Sequence, residues 1–212
     1  MTGALERVIR RRTMRGVAEG CDLCADPVPP RHRHVLDERV GEPRCVCTAC
    51  ALLFTRPRMS CGSTPQRSKA EIDRWNDEPA GRGHYRLVPE ERVRLPDLGA
   101  GDLGIPVGLA FFVLAGDGSV VAHYPSPMGA TRWEVDPEVW RGAQERCPTL
   151  ADLQPGVQAL LINTTRGAQE HWIVPIDDCY RLVTLIRGEW TGLSGGDRVW
   201  PAVDRFFAGL KK

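Results

Sequence analysis

The stretch from Cys21 to Cys50, CDLCADPVPPRHRHVLDERVGEPRCVCTAC, constrains this chain more than any other. It carries two Cys-x-x-C pairs, Cys21/Cys24 and Cys47/Cys50, with a further thiol at Cys45. Two residues between thiols let both sulfurs of a turn face one ion. Two such turns supply the four soft thiolates of a closed tetrahedral site, with metal–sulfur distances of ~2.3 Å for zinc. The chain between the turns must bring them together, and it reads as a hairpin. His32 to Leu36 alternates like a strand, Glu38 to Glu42 turns at Gly41, and Pro43 to Val46 returns. After Cys50, the apolar run Ala51 to Phe54 reads as helix or strand. A strand there makes a zinc ribbon, whereas a helix starting at the second knuckle makes a treble-clef-like module.

The expected ligands are Cys21, Cys24, Cys47 and Cys50, with Cys45 as the alternative to Cys47 or as a redox-active neighbour. One residue separates Cys45 from Cys47, which on a strand gives them one face. His32 and His34 could also enter the set, although each reads first as a solvated strand histidine. Iron, as a single ion or in a cluster, is the rival to zinc because four thiolates hold either metal. The knuckles read Asp22-Leu23 and Thr48-Ala49, without the Gly and Pro usual in rubredoxin-like sites, so zinc is the expected ion.

Composition narrows the class. With 42% hydrophobic and 26% charged residues in 212, the chain is that of an ordinary soluble globular protein. Residues 1–96 hold 18 Lys/Arg against 13 Asp/Glu, and residues 97–212 hold 10 against 14. The front is rich in arginine, yet sparse beside a nucleic-acid-binding tail and poor in aromatic residues for base stacking. No apolar run reaches the ~18 residues of a membrane span. Met1 to Gly16 has no hydrophobic signal core, and Arg10-Arg11-Arg12 is followed by none. Thiols spaced as metal knuckles without a secretion signal fit a reducing cytoplasm.

In chain order, residues 1–20 read as a basic lead-in, 21–55 as the four-cysteine metal module, and 56–104 as linker with an extended piece at His84 to Val88. Within the linker, Ser68 to Trp75 suggests a short helix, and Cys61 has no Cys-x-x-C companion. Residues 105–212 read as an α+β domain. Strands are expected at Val107 to Leu114, Ser119 to Tyr124, Val157 to Asn163 and Glu170 to Val174, with a loop over Ser126 to Thr131. Helices are expected from Asp136 or Pro137 to before Pro148, from Cys179 to Trp190 capped by Asp177 or Asp178, and from Val199 to Leu210. The last should bury Trp200, Val203, Phe206 and Phe207. Two hairpins, each followed by helix, predict an antiparallel sheet with helices on one face.

The segments CDLCADPVPPRHRHVLD, CVCTACALLF, GRGHYRLVP, IPVGLAFFVL, YPSPMGAT and QEHWIVPIDDCYRLVTLIRGEWTGLSGG resemble an uncharacterised bacterial family. The genes of that family often sit beside those of nickel–iron uptake hydrogenases. The resemblance covers most of residues 21–210, and the chain departs from it by inserting residues between about Arg58 and Ala80, which sets Cys61 outside the shared part. It implies a cysteine-rich metal module and a hydrogenase context, and it brings no catalytic residue.

The rest of the chain holds no complete catalytic set. His171 and Cys179 could form a thiol–imidazole pair at a helix N-terminus, but Asp177 and Asp178 oppose thiolate formation there, and Cys179 reads as a small core residue. Cys147 beside Pro148 reads as structural. Gly192 to Gly196 (GLSGG) lacks the lysine and spacing of a phosphate-binding loop and reads as a turn between helices. The expected function is therefore a non-enzymatic, zinc-binding accessory protein for assembly, maturation or docking of a hydrogenase-type redox enzyme, with a protein partner. The alternatives are an iron-binding electron-transfer or metal-handling protein and, less favoured, a nucleic-acid-binding zinc ribbon. A thiol enzyme built on His171 and Cys179 ranks last.

Overall fold

The polar hairpin after the first knuckle forms. In the computed structural model, which describes residues 20–54, 84–96, 98, 103–104, 108–192 and 195–211, β1 (Arg33–Asp37) pairs antiparallel with β2 (Glu42–Val46). The turn between them closes through Gly41 at φ +66°, whose N–H donates to the Asp37 carbonyl at 2.8 Å. Helix α1 (Thr48–Leu52) comes at once, and β3 (Tyr85–Leu87) joins the free side of β1. Local pattern alone marks this last piece only as an extended lead-in to the α+β domain. The basic lead-in, Cys61 and the helix expected at Ser68 to Trp75 lie outside the described residues. The chain divides into two units, one ending at Leu87 and the other beginning at Val88.

Alternation along β1 and β2 sorts the first unit into two faces. Arg33 stands opposite Val46 and Val35 opposite Arg44, so Val35 and Val46 share a face. Both are fully buried, in a small core with Cys21, Val28 and Ala51. His34 stands opposite Cys45 and Leu36 opposite Pro43, on the other face.

The second unit is built on one antiparallel sheet of six strands in the order β4-β9-β8-β5-β6-β7. These are β4 (Val93–Arg94), β5 (Leu109–Leu114), β6 (Val120–Ser126), β7 (Gly129–Glu134), β8 (Gln158–Asn163) and β9 (Glu170–Pro175). Strands β5, β6, β8 and β9 fall where the hydrophobic runs predict them. The loop expected over Ser126 to Thr131 is instead the tip of a hairpin, with Pro125 opposite Ala130 and Ser126 opposite Gly129. Its proline and glycine hide β7, an edge strand whose residues 131–134 are exposed and carry no inward pattern.

Helix α2 (Pro137–Arg146) is capped by Asp136, whose side chain accepts the Glu138 N–H at 2.8 Å. Its Trp140 and Ala143 pack with Ala110, Phe112, Leu160 and Ile173 of the sheet. Helix α3 (Ile176–Glu189) begins earlier than the spacing suggests: Pro175 is the N-cap, and Asp177 and Asp178 lie in the first turn instead of capping it. No residue of α3 joins the core cluster of α2. Instead Tyr180 feels the charge of Arg132, which stands opposite His123 on the Phe111 side. The helices therefore cover both faces of the sheet, not one. All six residues of β8 are buried, as both-face coverage requires.

Helix α4 (Gly196–Leu210) also starts before its expected bound, which moves Pro201 from the first turn into the helix interior. Val203 and Phe207 are buried as expected, whereas Trp200 and Phe206 are half-buried. Trp200 meets the edge of Trp190, and Phe206 lies under the Arg181 guanidinium. Between α3 and α4, Thr191 pairs with Gly195 in an isolated antiparallel bridge. A Cβ at Gly196 would run into Thr191 Oγ1, and both Gly195 and Gly196 have positive φ, so only glycine fits there. Among the described residues no helix is long and apolar enough to cross a membrane.

Candidate metal centre

Each Cys-x-x-C turn is shaped by its own backbone. At the first, the Cys21 N–H donates to the Asp26 carbonyl at 2.7 Å, and the Ala25 N–H donates back to the Cys21 carbonyl at 2.8 Å. Closing this loop puts Ala25 at φ +64°, a left-handed conformation in which a Cβ is strained. At the second, Cys47 is the N-cap of α1, and its sulfur accepts the Cys50 N–H at 3.4 Å. A reciprocal pair joins the two knuckles. The Asp22 N–H donates to the Cys45 carbonyl, and the Cys45 N–H donates to the Asp22 carboxylate, both at 2.8 Å. The end of β2 is thereby clamped to the first turn, which brings the second turn against it.

The outcome is a cluster of four sulfurs. Those of Cys21, Cys24, Cys47 and Cys50 all lie within 4.8 Å of one another, with Cys24 and Cys47 3.7 Å apart. Four thiolates held at ~2.3 Å from one ion stand ~3.8 Å apart along each edge of the tetrahedron. The cluster therefore fits a metal ion, and soft donors alone select zinc, iron or a similarly soft ion over magnesium or calcium. Cys21 is buried, Cys47 and Cys50 are half-buried, and Cys24 is exposed, so the site sits at the edge of the small core. Cys45 is not among the four. It is grouped with His32 and His34, which the sequence alone suggests only as additions to the same set.

The thiols do not ionise alike. Burial by itself would push Cys21 up, but the N–H groups of Cys47, Leu23 and Cys24 outweigh it and bring the thiol down to about 6. The Asp26 N–H favours the Cys24 thiolate, yet the neighbouring Cys21 sulfur and partial desolvation overcome this and hold Cys24 above its ordinary value. Cys50 is also pushed up: its hydrogen bond with Cys24 lowers it, but burial and the sulfurs of Cys47 and Cys21 raise it more. Sulfurs this close repel one another as thiolates, and a divalent cation among them reverses that balance.

Elsewhere the thiol–imidazole pair, the least favoured reading of the sequence, does not assemble. His171 stands opposite Ile162, two residues from Ile173, on the α2 face of the sheet, whereas Cys179 belongs to α3 on the other face. Cys179 is fully buried and its thiol is raised well above the ordinary value by desolvation, then by Asp178 and Asp177. Cys147 is the C-cap of α2 and is buried in the core. An open groove of about 580 Å³ between α3 and α4 is lined by Arg181, Thr184, Glu189, Arg205 and Phe206 among others. The Thr184 hydroxyl there already donates to the Tyr180 carbonyl at 2.9 Å.

The sequence matches the family described as "Family of unknown function (DUF5947)" over residues 20–80 and again over 74–212. The chain belongs to that family. No curated protein and no solved structure matches it. The DUF5947 match begins one residue before the first thiol and runs to residue 212, so the four-sulfur cluster and the six-stranded sheet both lie inside it. Its two segments overlap at residues 74–80, and the first runs through the stretch from Arg58 to Ala80, Cys61 included, that the resemblance set apart as an insertion.

Proposed function

We propose that this chain is a non-enzymatic accessory protein whose Cys21, Cys24, Cys47 and Cys50 hold a structural zinc ion. Its task is to dock a protein partner during assembly or maturation of a hydrogenase-type redox enzyme. The observation that carries the metal reading is the convergence of the four sulfurs, all within 4.8 Å of one another, at the edge of a core that is small among the described residues. The hydrogenase context rests on the resemblance of the sequence segments. The separation of His171 from Cys179 across the sheet supports a role other than thiol catalysis. Leu52 and Leu53, at the end of the helix that carries Cys50, are 65% and 60% exposed and offer an apolar contact beside the metal.

The test is the metal content and visible spectrum of protein purified without oxygen, with Cys24→Ser and Cys45→Ser alongside. A colourless protein with one zinc, lost in Cys24→Ser and retained in Cys45→Ser, is the expected result. Thiolate-to-iron charge-transfer bands would move the protein to electron transfer or metal handling. For docking, co-purification with hydrogenase subunits should be lost in a Leu52→Asp/Leu53→Asp variant that keeps its metal. Retention of the partner by that variant would reject this surface.

A further inference from the structure

We propose that His32, His34 and Cys45 form a second, solvent-accessible binding site for a late first-row transition-metal ion, distinct from the four-sulfur cluster. The three side chains each place a ligand atom within 4.8 Å of the others. Their convergence follows from the register: His34 stands directly opposite Cys45 across β1 and β2, and the His32 ring approaches that of His34 to 4.6 Å. They occupy the face of the hairpin opposite Val35 and Val46, the residues that pack with Cys21. Strand alternation thus directs Cys45 away from the core of the first cluster and towards the histidines.

Two further observations point to a ligand. The His32 Nδ1 lies 2.8 Å from the Pro29 carbonyl, which can only accept, so Nδ1 donates and in the neutral ring the lone pair is on Nε2. A histidine that donates one ring N–H to a backbone carbonyl and offers the other nitrogen is the usual arrangement at metal sites. The Nε2 atom is itself buried, although the His32 side chain as a whole is half-buried. Cys45, for its part, is fixed by both hydrogen bonds to Asp22, so its position is set by the first knuckle. All three residues are half-buried, which leaves room for water or an incoming ligand at a fourth position. Two imidazoles and one thiolate are borderline-to-soft donors, suited to zinc, cobalt, nickel or copper and poorly suited to magnesium or calcium.

The experiment adds Co²⁺, as a coloured probe, to the full chain purified without oxygen and carrying its resident metal. The wild type should take up an additional equivalent of Co²⁺ that a mild chelator removes before the resident ion. Cys45→Ser and His34→Ala should each weaken that uptake by at least ~100-fold, since loss of a ligand exceeds the effect of losing its hydrogen-bond support. Both variants should keep the resident metal, which shows that the module remains folded, whereas Cys24→Ser should lose it. No additional uptake by the wild type would overturn the proposal, as would uptake that survives both substitutions. Loss of the resident metal in Cys45→Ser while His34→Ala retains full uptake would also overturn it, by assigning Cys45 to the first cluster.

Discussion

Two residues sit in conformations or environments that cost stability, and each makes a measurable prediction. Ala25 holds φ +64° where the first knuckle closes. Ala25→Gly should stabilise the unit by about 0.5–1 kcal/mol, because glycine meets no Cβ penalty there, although it gains entropy in the unfolded chain. Chemical denaturation followed in the first unit reads this, and a loss of stability would refute the strain argument. His123 stacks on Phe111 with ring centroids 4.7 Å apart. Burial first, and the charge of Arg132 second, lower its imidazole to about 4. The unfolded state therefore binds the proton more readily. The contribution is fully present above the unfolded value of ~6.5 and is lost as pH falls towards 4, amounting to at most ~3 kcal/mol. Urea unfolding of wild type and His123→Phe at about pH 7.5 and about pH 5 separates this from carboxylate effects. The variant should lose clearly less stability on acidification, and equal losses would exclude His123 as the cause.

Among the elements, the N-terminus of α3 is secured by a buried carboxylate. Asp178 is 1% exposed and accepts from Arg92 Nε at 2.6 Å and Nη2 at 3.2 Å. Arg181, one turn along, reaches it at 3.0 Å. The carboxylate also lies in the first turn of the helix, where the macrodipole favours negative charge. Asp178→Asn should cost about 3 kcal/mol, since it removes the charge that two guanidinium groups share in a desolvated place. Arg181→Ala should cost less, because that side chain is half-exposed and Arg92 remains. Thermal unfolding of both variants checks the order; the reverse ranking would mean that Arg92 does not carry the contact. The same helix shows where local pattern stops short. Asp177 and Asp178 are cap-forming residues, but Pro175 starts the helix ahead of them because β9 ends there. Strand β7 is illegible in the sequence for a related reason: its pairing with β6 defines it, not any pattern of its own.

At the scale of the molecule, the two units draw on different sources of stability. The second is built around a large apolar cluster spanning the sheet, α2 and the turn at Pro148–Asp152. Among the described residues the first has five buried residues in its core cluster and a three-stranded sheet, so an ion held by the four sulfurs would supply much of its folding free energy. Chelation should abolish amide protection at Val35 and Val46 while leaving Leu160 to Ile162 protected in hydrogen exchange. Equal survival of both units would show that the four sulfurs are dispensable for the fold.

Sequence was enough for the two Cys-x-x-C knuckles, the hairpin between them and the main strands of the second unit. Those features are local: a spacing of two residues, a turn at Gly41 and short apolar runs between breakers. Long-range packing supplied what local pattern does not encode. Pairing with β1 turned Tyr85–Leu87 into a strand of the cysteine-bearing unit, and the apolar character of both faces of β8 drew helices to either side of the sheet. Packing also fixed the fate of the fifth thiol. Cys45 and Cys47 are two apart, and alternation alone would give them one face. The strand ends at Val46, however, and Cys47 turns into the helix cap, so Cys47 joins the sulfurs while Cys45 stays on the strand opposite His34.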